Sequence, residues 1–364
     1  MFSPILSLRS NQASRAFRAN EGGFGAVCGS EPATLFLRAF VHSEVILPET
    51  EMQSGLKLWP NPHVWTALGA IAAIDLTWLS VQGREFLLGP VFIATAGLAL
   101  TVVFAAMVWI RDGRLRAVAI GSTFVMVAWP VLRLFNHLVM TTAMPMQDAL
   151  LAQGDAILGF DWLGYAHWLD RTPVFADVLS NCYNSLTVVS CFAFLAIVLA
   201  GDLDSAGDFI GLFFVAAVLI SSLGMFFPAD GAMVYFAASS DTLKHISNSA
   251  GTWFVAPLHE VRTNPHHVFM ISSLPGLTAF PSFHTAMGII VLYCCRTRMW
   301  LFIVALVYVP LMIAAAVVFG GHYFVDIIAG VAITVGLITV LRRWNGAESR
   351  AASPAPELAP SMSR

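Results

Sequence analysis

The 364-residue sequence is 57% hydrophobic and only 11% charged, with a mean hydropathy of +0.75; this excludes an ordinary soluble globule and makes lipid the main solvent. Nineteen Lys plus Arg against 22 Asp plus Glu give a formal charge of -3, so no basic excess argues for a nucleic-acid partner. The five cysteines, Cys28, Cys182, Cys191, Cys294 and Cys295, match neither a zinc site nor a CxxC pair, and structural disulfides are not expected.

Residues 1–57 carry Arg9, Arg15, Arg18 and Arg38 but no apolar run, so they do not read as a cleavable secretory signal. They are expected to be a disordered extension, in part an over-long translation start with Met52 as a candidate initiator; an amphipathic presequence is the alternative. Apolar runs long enough for a bilayer then follow at 62–82, 86–110, 117–140, 178–200, 208–228, 280–295, 299–319 and 322–341. Irregular backbone cannot face lipid, so each is read as a helix. The expected fold class is an all-α polytopic transmembrane helical bundle of about eight spans. Its expected parts are two additional spans in 58–116, a catalytic six-helix core in 117–345 and a disordered Ala/Ser/Pro-rich tail in 346–364.

Loop cations set the orientation. Lys57, the group Arg111, Arg114 and Arg116, the pair Arg296 and Arg298, and the pair Arg342 and Arg343 all fall on one side of these spans, which predicts that side, and both termini, to be cytoplasmic. Two long connections, 141–177 and 229–279, lie on the other side. The first places Asp148, Asp155 and Asp161 among apolar residues and reads as an interfacial or re-entrant helix. The second holds Lys244, His245, His259, Arg262, His266 and His267, more donors than a tether needs.

FPSFHTA puts Pro281, Ser282 and His284 at the start of the sixth span, and GGHYFVDIIAG puts His322 and Asp326 at the start of the eighth. The 38 positions between the histidines suffice for one crossing out and one back, so both finish at the same face. Helix N-termini there, Pro281 at a first helical position, and Gly320 with Gly321 suit an anion such as phosphate. His322 and Asp326, four apart, are expected on one helical face, the carboxylate holding one ring nitrogen and leaving the other as nucleophile, with His284 free for proton transfer. Interhelical hydrogen bonding is the bland reading of a lone intramembrane histidine; three co-facial groups favour function. Arg133 is a candidate phosphate clamp, against the alternatives of a snorkelling cation or a partner for Asp75. His137 beside it, Tyr183 and Asn184 at the opening of the fourth span, Ser282 and Arg262 complete the candidate substrate-binding set, while His266 and His267 read as loop residues.

These motifs resemble the type 2 phosphatidic acid phosphatase superfamily, and particularly its inositol phosphorylceramide synthase-like (inositolphosphotransferase) branch. FPSFHT is similar to the family's second motif and GGHYFVD to its third; Gly159 to Ser185 and FFPADG (Phe226 to Gly231) look like segments of that branch. The resemblance covers about 117–341, a six-span phosphatase-like core. It implies that His284 is the general acid and base, His322 the nucleophile and Asp326 its orienter. The chain departs from the phosphatase pattern at Phe283, where the family has Gly, and at Ala315 and Ala316, where it has Ser-Arg; the first Lys/Arg motif is not recognisable, which leaves Arg133 and Arg262 for the cationic role. The expected function is a membrane lipid phosphatase or phospho-headgroup transferase working through phosphohistidine on a phospholipid or sphingolipid-like phosphoester, with no cofactor and no metal. A metal-dependent membrane hydrolase and a lipid transporter or binding protein are the alternatives. A bacterial inner membrane with the site facing the periplasm or exterior fits the loop charges, as does an endomembrane with a luminal site.

Overall fold

The computed structural model describes residues 59–236, 243–247 and 249–351; the expected N-terminal extension, with Cys28 and Met52, and residues 352–364 lie outside the described residues. In chain order the helices are α1 (Pro62–Gln82), α2 (Pro90–Trp109), α3 (Gly113–Met140), α4 (Asp148–Ile157), α5 (Trp162–Asp170), α6 (Pro173–Asn184), α7 (Leu186–Leu199), α8 (Leu203–Gly224), α9 (Ala232–Tyr235), α10 (Val255–Thr263), α11 (Phe283–Cys295), α12 (Met299–Phe319) and α13 (Phe324–Ala351). The all-α expectation holds.

Among the described residues, α1, α3, α8, α12 and the Phe324–Asn345 part of α13 are long and apolar enough to cross a membrane. The pair α6 and α7, bent by 56° at Ser185, passes the same test only when the two are taken together, as a broken span or a re-entrant loop. Each of the eight expected runs holds a helix, but Pro90–Val102 and Phe283–Cys295 are shorter apolar stretches. At 1.5 Å per residue, the 13 residues of α11 cover only about 20 Å of a roughly 30 Å hydrocarbon core. The irregular segment 274–282 leads into it.

Local chemistry sets the helix limits. Asn61 Oδ1 accepts the His63 N–H before Pro62 opens α1, and Gly83, at φ 64°, closes it in the left-handed conformation. Asp112 and Asp202 cap α3 and α8 in the same way. Two differences from expectation concern the site. Pro281 does not open α11; Ser282 is its cap and Phe283 its first residue. His322 precedes α13 rather than sharing its face with Asp326, because Gly320 and Gly321 carry the chain past α12 in a non-helical crossing.

The first long connection forms two short helices, α4 and α5, instead of one interfacial or re-entrant helix. A two-residue parallel ladder, Phe86–Leu87 (β1) beside Phe269–Met270 (β2), ties the α1–α2 turn to the second connection and has no counterpart in the sequence reading. At the far end, Arg114 Nη1 donates to the Leu199 carbonyl and Arg298 Nη2 to that of Ala200, so loop cations from two connections gather at the end of α7. Helix α13 continues to Ala351, into the tail expected to be disordered.

Candidate functional site

Ser282 joins the two motifs. Its N–H donates to the Asp326 carbonyl at 3.0 Å. Its Oγ accepts from the Thr285 N–H (3.3 Å) and from Thr285 Oγ1 (3.1 Å), which fills both lone pairs and leaves the hydroxyl proton for His322 Nε2 at 3.2 Å. On the other side of that ring, Nδ1 lies 3.2 Å from Asp326 Oδ2. The tautomer that satisfies both contacts has Nδ1–H donating to the carboxylate and the Nε2 lone pair directed at the serine. Ser282, His322 and Asp326 are buried, at 0%, 4% and 0% exposure.

His284 faces this pair, its ring centroid 6.4 Å from that of His322. Tyr183, from α6, lies against it with centroids 4.3 Å apart and planes 19° from parallel. Both histidines line a cavity of about 400 Å³. Arg133 lines it too, its guanidinium carbon 4.2 Å from the centre of the Trp129 ring and without a hydrogen bond or ion pair to the described residues. It is no partner of Asp75, whose buried oxygens also lack a hydrogen-bond partner among the described residues. A cation of this kind, stacked on one face and free at its edge, retains its full donor fork for an anion.

The two helix starts differ. In α13 the N–H groups of Phe324 and Val325 go to Asp155, that of Tyr323 to Asp326, and that of Asp326 to the Tyr323 carbonyl. In α11 the N–H groups of Phe283 and His284 have no acceptor among the described residues, and both residues line the cavity. Free N–H groups and the positive dipole end therefore face the cavity from α11, not from α13.

Of the remaining candidates, Asn184 lines the cavity, whereas Arg262 and His137 do not. Arg262 Nη2 donates to the Met144 carbonyl, and burial lowers the affinity of its guanidinium for the proton, against the pull of Asp230. His137 Nε2 meets the Pro275 carbonyl at 2.7 Å. Both are occupied by loop carbonyls, and of the two arginines only Arg133 lines the cavity. The polar residues of the second connection have local partners: His259 pairs with Asp230 at 2.7 Å and His267 with Glu260 at 3.6 Å, while Lys244 and His245 give their N–H groups to Asp170. That connection instead gives the cavity Trp253, Phe254, Gly276 and Thr278.

The acidic residues of 148–170 are acceptors for backbone. Asp148 takes the N–H groups of Asp230 and Gly231 and the Tyr323 hydroxyl, Asp161 caps α5, and Asp170 takes three N–H groups from 244–246. Burial pushes the Asp155 carboxyl above its ordinary range, although the donors from Phe324 and Val325 pull it back. Where the resembling family has Ser-Arg, Ala315 and Ala316 are both fully buried, and the Ala316 carbonyl accepts the Gly320 N–H. Gly321 (φ 67°) and Gly251 (φ 67°) cross so closely that a Cβ on either would meet the other's backbone. Among the described residues no three His, Cys, Asp or Glu side chains are gathered as a metal-binding group.

A helical bundle of apolar spans enclosing a His–His–Asp constellation at one end defines a multi-pass membrane protein with a buried polar site. A family model described as PAP2 superfamily matches residues 149–340, more than half of the 364, and the chain belongs to that superfamily. Its members are phosphoesterases, which supports a phosphatase-type, lipid-related function. The comparisons with curated proteins and with solved structures return no match. Helix α3, with Arg133, precedes the matched region, which begins 32 positions later than the core expected from 117.

Proposed function

We propose that the protein is a membrane lipid phosphatase or phospho-headgroup transferase acting through a phosphohistidine at His322. The observation that carries this reading is His322 held between Asp326 and Ser282 at the cavity wall, with His284 facing it and the unpaired Arg133 on the same cavity.

In the first step Nε2 of His322 attacks phosphorus in place of the Ser282 hydroxyl contact. The bond from phosphorus to the leaving alcohol oxygen breaks, its electron pair departs with that oxygen, and His284 supplies the proton. Asp326 holds the Nδ1–H and stabilises the charge that develops on the ring. In the second step water or an alcohol attacks the phosphohistidine, His284 takes the incoming proton, and the P–N bond breaks to restore His322. Arg133 and the N–H groups of Phe283 and His284 hold the equatorial oxygens.

The packed alanines at 315 and 316 support a site unlike the standard phosphatase and keep an alcohol acceptor, as in the inositolphosphotransferase-like branch, beside water. Cations gathered at the far end of α7 support a cytoplasmic location for that end, with the site facing the periplasm or exterior of a bacterial inner membrane and both termini cytoplasmic. The test is incubation of the purified protein with mixed phospholipids, alcohols and water, with mass spectrometry of products and of the protein. A phosphorylated His322 and turnover in excess chelator are expected. Full turnover by His322→Ala would overturn the reading.

A further inference from the structure

The loop that carries His322 is gripped from outside the spanning helices by a segment too short to span. Asp155 lies on the ten-residue α4 and is 1% exposed. Its Oδ2 accepts the Phe324 N–H at 2.9 Å and its Oδ1 the Val325 N–H at 2.8 Å. One helix later, Trp162 Nε1 donates to the carbonyl oxygen of His322 itself at 3.1 Å. Gly154 lets α4 approach so closely that a Cβ there would meet Val325 Cγ1 at 2.8 Å. The backbone is therefore held on both sides of Tyr323: at His322 by an indole donor and at residues 324 and 325 by a carboxylate acceptor.

We propose that Asp155, assisted by Trp162, is the positioning residue that aims Nε2 of His322 along the line of attack on phosphorus. The inference rests on His322 being the nucleophile, as proposed above. Charge-assisted bonds to two successive N–H groups fix the direction of the peptide planes that lead to Asp326, and Asp326 in turn holds the imidazole. The same contacts consume the α13 N-terminus, so substrate oxygens meet α11 and Arg133 while α13 serves as the mount for the attacking ring. A helix cap without this role would contribute stability only.

A readout independent of the headgroup is the binding of orthovanadate, which adopts the five-coordinate geometry of in-line attack, compared with inorganic phosphate, which needs only the anion-binding groups. Quenching of tryptophan fluorescence reports both, since Trp129 and Trp253 face the cavity. The variants are Asp155→Asn, which sets an amide N–H₂ against one backbone donor, Trp162→Phe, which removes one donor, and His322→Ala. Each is measured on the monodisperse fraction, so loss of folded protein does not count as loss of binding.

The expected result is vanadate affinity about tenfold or more weaker in Asp155→Asn, by analogy with the cost of small misplacements in reacting geometry, and about threefold or more weaker in Trp162→Phe, as for one neutral hydrogen bond. Phosphate affinity stays within about twofold in both, because its ligands are untouched. Equal vanadate binding by wild type and His322→Ala would refute the nucleophile, and this inference with it. Loss in His322→Ala but wild-type binding in Asp155→Asn and Trp162→Phe would overturn the positioning role alone, as would parallel loss of vanadate and phosphate.

Discussion

Tyr183 and His284 lie face to face, 4.3 Å between centroids and 19° between planes, and this stacking is the contact that orients the second histidine. No hydrogen bond to a described residue fixes the His284 ring, whereas both nitrogens of His322 have partners. Tyr183→Phe, which keeps the ring, is expected to retain kcat within about twofold, whereas Tyr183→Ala lowers it by about tenfold, the equivalent of an aromatic pair. Steady-state phosphoester turnover of the two variants checks this.

Asp326→Asn keeps the size of the side chain but removes the charge that holds Nδ1–H. It is expected to lower kcat by about 10²–10⁴-fold with little change in KM, as for the equivalent change in other histidine–carboxylate pairs. Turnover as fast as wild type would show that the His322 ring is held by Ser282 alone.

Arg133 lies over the Trp129 ring and lines the cavity. Arg133→Ala is expected to lower kcat/KM by about 10²-fold or more, as does removal of other groups that stabilise a developing anion. Arg133→Lys does not restore it, because a compact ammonium neither stacks nor forks. Kinetics of both variants, beside Arg262→Ala at near wild-type kcat/KM, separate the two arginines.

Asp170 has a pH-dependent share in stability. Burial alone would raise its carboxyl, but the N–H groups of Lys244, His245 and Ile246, with the His245 charge, outweigh it and hold the folded value below the ordinary 3.8. A depressed acid stabilises fully above the unfolded value and loses that contribution as pH falls through the folded one. Thermal unfolding in detergent is expected to show the wild type losing its advantage over Asp170→Asn below about pH 4, where the unfolded carboxyl takes up its proton. A constant difference between the two across that range would contradict it.

Asn136 holds the segment before α11: its Oδ1 accepts the Leu277 N–H, and its Nδ2 donates to Ser221 and Thr278. Asn136→Ala leaves a buried N–H without an acceptor and is expected to cost about 1–3 kcal/mol, read as a fall of several degrees in Tm.

The apolar helices and the meeting of His284 with His322 and Asp326 are legible because apolar length and odd-even crossing are properties of the chain alone, but of the eight expected spans only five, or six with the bent pair, hold helices long enough to cross. Loop roles were not. Arg262 and His137 carry the right chemistry, but each is used by a carbonyl, of Met144 and Pro275, that the loop itself leaves unpaired. Asp155 and Trp162 touch the site through backbone atoms, which every residue possesses and no spacing marks. Trp253 and Phe254 enter the cavity from a connection whose charges attracted attention instead. His322 and Asp326 are four apart, as helical partners are, yet meet across a helix start, where the Gly320–Gly321 crossing sets the geometry.

The bend at Ser185 shapes one wall of the cavity. Asn184 and Thr187 flank it at the cavity surface, and the interrupted ladder is secured from α12, where the Tyr308 hydroxyl donates to the Cys182 carbonyl at 2.7 Å and meets Ser185 Oγ at 3.2 Å. A break so fastened is a braced elbow rather than a hinge. The stretch of cavity wall formed by Asn184 and Thr187 is thereby anchored to a neighbouring span through a single phenol.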